Sequence, residues 1–290
     1  MGAYDLLVAP FADFAFMRRA LAGSLALCLG AGPIGVFLML RRMSLVGDAM
    51  AHAILPGAAV GYLVAGLSLG WMTLGGLAAG FAVALLAGLV ARSTVLREDA
   101  SLAAFYLLSL ALGVTLVSLK GSNIDLLHVL FGTVLALDDD ALLLIAGIGS
   151  VTLVVLAALF RPLVLECVDP GFLRSVTRAG GPTHLVFLAL VVLNLVGGFH
   201  ALGTLLAVGI MMLPAVAARF WTVSIGAHIA AATAIGVASC ILGLLLSFHA
   251  GLPAGPAVIL VAGLAAILSM AFGRQGGLVW QAFPGRHLEA

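Results

Sequence analysis

The sequence predicts an all-α, polytopic membrane protein with about nine transmembrane helices, eight at the lower end. Three observations carry that prediction. Only 9% of the 290 residues are charged, where soluble domains average about a quarter. Mean hydropathy is +1.27. Apolar runs close to the roughly 20 residues needed for a helical span recur along the whole chain. The longest polar interruptions, 120–140, 161–182 and 273–290, leave no room for a soluble domain, so 1–290 reads as a single transmembrane domain.

Taken in order, the predicted spans are 20–40, 45–65, 70–91, 100–119, 141–160, 184–199, 203–220, 225–248 and 254–272. The first lies between Arg18-Arg19 and Arg41-Arg42, and the second runs on to Gly66. The third stops before Arg92, and the fourth lies between Arg97 and Lys120. The fifth follows Asp138, Asp139 and Asp140 and ends at Arg161. Gly203 separates the sixth from the seventh, which ends at Arg219, and the last two are divided at Gly251 and stopped at Arg274. Residues 123–137, NIDLLHVLFGTVLAL, read as a loop or as a re-entrant or interfacial segment.

Nine alternating spans with 161–182 on the cytoplasmic side place ten arginines inside: Arg41, Arg42, Arg92, Arg97, Arg161, Arg174, Arg178, Arg219, Arg274 and Arg286. Only Arg18, Arg19 and Lys120 fall outside, which predicts an outside N-terminus and a cytoplasmic C-terminus. The first fifteen residues hold Asp5 and Asp13 and no base, unlike the basic start of a cleaved signal. Cys28, Cys167 and Cys240 are an odd number with no C-x-x-C pair, so neither a disulfide framework nor a thiolate metal site is expected.

Asp48 and His52 stand four apart in LVGDAMAHAILPGAAVGYLVA, residues 45–65. An ionisable group within a bilayer costs about 2.5–3.5 kcal/mol on insertion scales, so such groups line a pathway or pair with a partner. Their spacing puts both on one helical face. Carboxylate and imidazole together suit a borderline divalent cation such as zinc or manganese. Two ligands are too few to hold the ion, whereas two copies of the chain supply four, which predicts a homodimer with the ion on its axis. The competing reading is a structural pair fixing helix packing.

Ala49, Ala53, Gly57 and Gly61 form a ladder of small residues permitting close helix approach. Pro56 interrupts this span, and Pro214 interrupts the seventh similarly, a weak sign of an inverted repeat. At the positions equivalent to Asp48 and His52 the seventh span has Leu206 and Ile210. Asp125, His128 and His200, with Asp138–Asp140 nearby, are candidates for an outer entry, set against an ordinary solvated acidic loop. His184, His228, His249 and His287 are tied to no site. Gly66, Ser68 and Gly70 spell G-x-S-x-G outside the strand-turn-helix context that hydrolases require.

Residues 166–184, ECVDPGFLRSVTRAGGPTH, read as a short amphipathic cytoplasmic helix presented to a soluble partner, with Pro170 in its first turn and Gly180 at its end, set against an ordinary cytoplasmic loop. No G-x-x-x-x-G-K-[ST] occurs, so ATP-driven transport would need a separate ATPase chain.

The run RRMSLVGDAMAHAILPGAAVG, residues 41–61, resembles the signature of the permease subunits of bacterial zinc, manganese and iron ABC importers. Similarity extends through 121–140, the Asp169-Pro170 and Gly180 region, and GTLLAVGIMMLPAVAAR, 203–219. Ala51 stands where that family usually has a serine or similar residue. The resemblance implies an inverted-repeat permease fold in the bacterial inner membrane and a homodimeric or pseudo-dimeric channel. It also implies two cytoplasmic ATPase subunits and an extracytoplasmic metal-binding protein. Asp48 and His52 then match the family's pathway ligands, and 166–181, with Asp169, Pro170, Phe172, Arg174, Arg178 and Gly180, resembles its coupling helix.

The expected function is import of a divalent transition metal, zinc narrowly ahead of manganese. No enzymatic activity, tightly bound cofactor or nucleic-acid partner is expected. The rivals are a proton-coupled secondary carrier using Asp48 and His52 as a relay, and an intramembrane enzyme using the pair as a metal-activated water site, which lacks a third ligand.

Overall fold

A computed structural model describes residues 3–66, 68–96, 98–119, 137–169, 172–173, 175 and 180–282. Every element among them is helical. Short helices α1 (Ala3–Leu7) and α2 (Ala9–Asp13) precede α3 (Ala15–Leu40), α4 (Val46–Ala65), α5 (Leu69–Ser93) and α6 (Glu98–Leu119). Then come α7 (Asp139–Val168), α8 (Gly180–Leu202), α9 (Thr204–Arg219), α10 (Ile225–Ala250), α11 (Ala254–Phe272) and the short α12 (Leu278–Ala282).

Helices α3 to α11 match the nine predicted spans in order. Seven are long and apolar enough to cross a membrane, while α6 and α9 carry shorter apolar stretches, Ala100–Leu116 and Thr204–Arg219. One boundary differs in an informative way. The fifth span was expected to stop at Arg161, yet α7 continues to Val168 through Glu166. Glu166 Oε1 accepts a hydrogen bond from Arg41 Nη2 at 2.8 Å, so its charge is neutralised and the helix need not end before it.

Ion pairs fix the sense of the bundle. Arg19, near the start of α3, meets Asp139 at the start of α7 at 3.0 Å. Arg41 and Glu166 meet at the ends of the same two helices. α3 and α7 therefore run parallel, and His184, in the first turns of α8, joins them at the Arg41 end. The Gln275 amide donates to Phe220 O, bringing the end of α9 to the residues just past α11.

Packing follows the same plan twice. α4, α5 and α6 pack on one another, as do α9, α10 and α11. α8 lies against α4 and α5, whereas α3 lies against α9 and α10, so each half receives the leading helix of the other. α3 and α8 are accordingly the most deeply buried of the long helices. Four helices separate them in the chain, which makes them antiparallel if each crosses the bundle. Pro56 and Pro214 occupy the same place, each ten residues after the first residue of its helix. The inverted-repeat expectation, weak in sequence, is thus visible in the packing.

The corner between α3 and α4 is sharply defined. Arg42 is left-handed at φ 59. Its amide donates to Met39 O, and the Met43 amide donates to Leu38 O, a Schellman closure normally built on glycine. Four residues later α4 begins.

Candidate metal site

Asp48 lies in the first turn of α4, where the positive end of the helix dipole favours a carboxylate. His52 follows one turn on, and its Nε2 is 3.7 Å from Asp48 Oδ1. That is too long for a hydrogen bond, so the two groups do not satisfy each other. Donors sharing one ion at about 2.1 Å lie about 3.0–3.4 Å apart, depending on geometry. A shift of a few tenths of an ångström would therefore bring this pair onto one metal. The His52 ring stacks on Tyr106 of α6, centroids 6.3 Å apart and planes 29° apart, which holds its orientation. Its Nδ1 is buried and has no hydrogen-bond partner among the described residues.

The side chains are 66% exposed for Asp48 and 31% for His52 on the single chain. They share the open face of α4 with Leu45, Leu55 and Ala59. The opposite side of α4 is closed. A Cβ on Gly57 would fall 1.9 Å from Gly75 O of α5, and one on Gly61 would fall 2.3 Å from Trp71 O. The Gly57 and Gly61 end of the small-residue ladder is therefore filled by α5 of the same chain, on the side away from the ligand face. Pro56 is covered by α6 at Gly113, and Ser109 Oγ of α6 donates to Ala53 O at 3.0 Å. At the equivalent place in α9, Leu206 and Ile210 are buried. Among the described residues no group of three or more His, Cys, Asp or Glu side chains could hold a metal ion.

The other sequence candidates fare differently. Asp125 and His128 lie outside the described residues, as does nearly all of 123–137; His200 lies in the last turn of α8. Asp138 caps α7 by accepting the Ala141 amide at 2.8 Å, and Asp139 pairs with Arg19, so both have structural work. Asp169 caps a helical turn, its Oδ1 accepting the Phe172 amide at 2.9 Å. There Phe172 is exposed and Leu173 buried. Pro170, Arg174 and Arg178 lie outside the described residues, and Gly180 opens α8. His228 bonds Ala215 O and His249 bonds Leu6 O.

Two groupings were not foreseen. Cys28 and Cys240 bring their Sγ atoms to 3.4 Å between α3 and α10, a thiol contact across 212 residues. Arg41, Glu166 and His184 form a buried polar cluster. Neither leaves a local motif, because each residue alone reads as ordinary helix or helix end.

The ABC 3 transport family matches residues 13–273, and the chain belongs to that family. It is a multi-pass transport permease and not an enzyme. The manganese import system permease protein ScaB of Streptococcus parasanguinis is 30% identical over 257 residues, 89% of this chain and 90% of that protein. The manganese transport system membrane protein MntC of Listeria monocytogenes is 30% identical over 268 residues, 92% and 94% respectively. In solved structures, a chain of PsaBC from Streptococcus pneumoniae in complex with Fab superposes with a TM-score of 0.82 at 26% identity. That match covers 95% of this chain and all of the other.

Proposed function

We propose that this chain is the membrane-spanning subunit of an ATP-driven importer that moves a divalent transition metal into the bacterial cytoplasm. Manganese comes first and zinc second. Ligand chemistry alone puts zinc narrowly ahead, but relatives named for manganese import, ScaB and MntC, tip the balance. A site of carboxylate and imidazole accommodates either ion.

One observation carries the reading: an acid and an imidazole, 3.7 Å apart and unsatisfied by each other, stand on the open face of α4. Facing lipid, they would be costly. Against the same face of a second copy they become two carboxylates and two imidazoles around one ion, which is our reason for proposing a homodimer. Separation of the two faces would then weaken the site and release the ion, so affinity changes with conformation.

The Arg41 end of the bundle is taken as cytoplasmic on the arginine distribution, with the N-terminus outside. Two ATPase subunits would dock there on the turn capped by Asp169, with Phe172 outermost. Arg174 and Arg178 are proposed for the same surface, and a metal-binding protein would deliver the ion at the opposite end. Membership of an ABC family disfavours the proton-coupled carrier.

The test is uptake of radioactive manganese by vesicles carrying the permease with its ATPase. Import is expected only with ATP, and Asp48→Ala or His52→Ala is expected to abolish it while the complex still assembles. Wild-type uptake by both variants would remove the site, and full uptake on a proton gradient alone would remove the ATP-driven reading. Competition by zinc in the same vesicles ranks the two metals.

A further inference from the structure

Three helix ends meet around Arg41. Its Nη2 donates to Glu166 Oε1 at 2.8 Å and also to His184 Nδ1. Arginine cannot accept a hydrogen bond, so Nδ1 is the acceptor in this contact. The guanidinium lies over the Phe187 ring, 5.1 Å from its centroid. The Arg41 and Glu166 side chains are each only 10% exposed, and His184 is buried. Such a pair, removed from water, is strongly destabilised when one partner is lost, so the three helix ends move together more readily than apart.

The position of this cluster matters more than its strength. Glu166 comes three residues before Asp169, which caps the exposed turn, and His184 comes four residues after Gly180, which opens α8. The cluster therefore grips both stems of the segment between α7 and α8. Its third member, Arg41, is the C-cap of α3, next to the left-handed Arg42. Asp48 follows seven residues after Arg41. The Schellman closure at Arg42 and Met43 leaves little slack between them.

We propose that Arg41, Glu166 and His184 are positioning residues that transmit movement of the 169–180 segment to the Asp48–His52 pair. None of them touches the ion. Displacement of the segment pulls on Glu166 and His184, Arg41 follows, and the rigid corner passes the shift to the first turn of α4. This rests on the proposed function, in which that segment contacts the ATPase.

The experiment uses the permease with its ATPase in liposomes and reads manganese imported per ATP hydrolysed. Glu166→Gln, Arg41→Gln and His184→Gln are each expected to lower this ratio by roughly tenfold, within the usual range of coupling between sites. ATP hydrolysis should persist, and manganese binding to the detergent-solubilised permease, followed by electron paramagnetic resonance, should stay within about twofold. Arg41→Lys keeps charge without the fork and should recover part of the ratio. Glu166→Gln with Arg41→Gln should be no worse than either alone, because both break one link. Assembled variants with an unchanged ratio would overturn the proposal. So would a loss of manganese binding that accounts for the whole effect, or failure of every variant to assemble. If the wild-type complex itself shows no ATP-dependent manganese import, the proposed function fails; if it imports and the variants match it, only the link fails.

Discussion

Gly57→Ala tests whether the α4–α5 seam sets the position of the ligand pair. The added methyl would sit 1.9 Å from Gly75 O, 2.5 Å from Gly75 C and 2.6 Å from Ala79 Cβ. A carbon meets a carbonyl oxygen comfortably at about 3.3–3.6 Å, so the helices must part by about 1 Å or more. A gap of about 0.5–1 Å forfeits a quarter to a half of the dispersion attraction across a seam. The cost expected from overpacking is about 1–3 kcal/mol. His52 lies five residues from Gly57, roughly 7.5 Å along the axis, so it moves with the seam. Donor groups need placement within about 0.5 Å, and a 1 Å error can cost about a hundredfold in rate.

Thermal unfolding of the purified permease and initial manganese uptake by vesicles are the two assays. Gly57→Ala is expected to lower the melting temperature by several degrees and to cut uptake by tenfold or more. Gly88→Ala is the control, because nothing lies within 4 Å of its added Cβ. It should match the wild type or gain slightly from better helix propensity. If the two variants behave alike in both assays, the seam does not position the site.

Arg42→Gly should stabilise the chain by about 1 kcal/mol, since glycine removes the steric cost of the left-handed backbone at φ 59. Arg42→Val should lower the melting temperature instead, and equal effects of the two would contradict the corner described above. Maleimide should label Cys167 alone in the folded, detergent-solubilised permease, because Cys28 and Cys240 are buried. All three should react in denaturing detergent, and labelling of either buried thiol before unfolding, read by peptide mass spectrometry, would contradict the α3–α10 packing.

How far the sequence discloses the molecule depends on the range of the signal. Each span is a local statement about twenty or so neighbouring residues, so α3 to α11 are readable one by one. Asp48 and His52 are legible for the same reason: four positions apart, they form their pair inside a single helix. Arg41, Glu166 and His184 acquire meaning only when α3, α7 and α8 end at one level. In the sequence Arg41 counts merely as one more arginine near a span end, and His184 as a histidine tied to nothing. The end of α7 differs for a related reason: Arg161 closes the apolar run, while the helix continues to Val168 past Glu166, whose counter-charge Arg41 lies 125 residues away. The Cys28–Cys240 contact is equally invisible, because the chain gives no hint that α3 packs on α10.

The exchange of leading helices between halves has a consequence for biosynthesis. α3 is made early, but its packing partners α9 and α10 end only at Ala250. At about 5–20 residues per second, synthesis of the intervening chain takes roughly 10 to 40 s. Throughout that interval its glycine-rich flank, with Pro33 at its centre, must be sheltered by lipid or by the insertion machinery. A newborn chain of this kind cannot mature helix by helix in order of emergence. Truncation before α10 should leave a species that quality-control proteases recognise, however well its earlier segments have entered the bilayer.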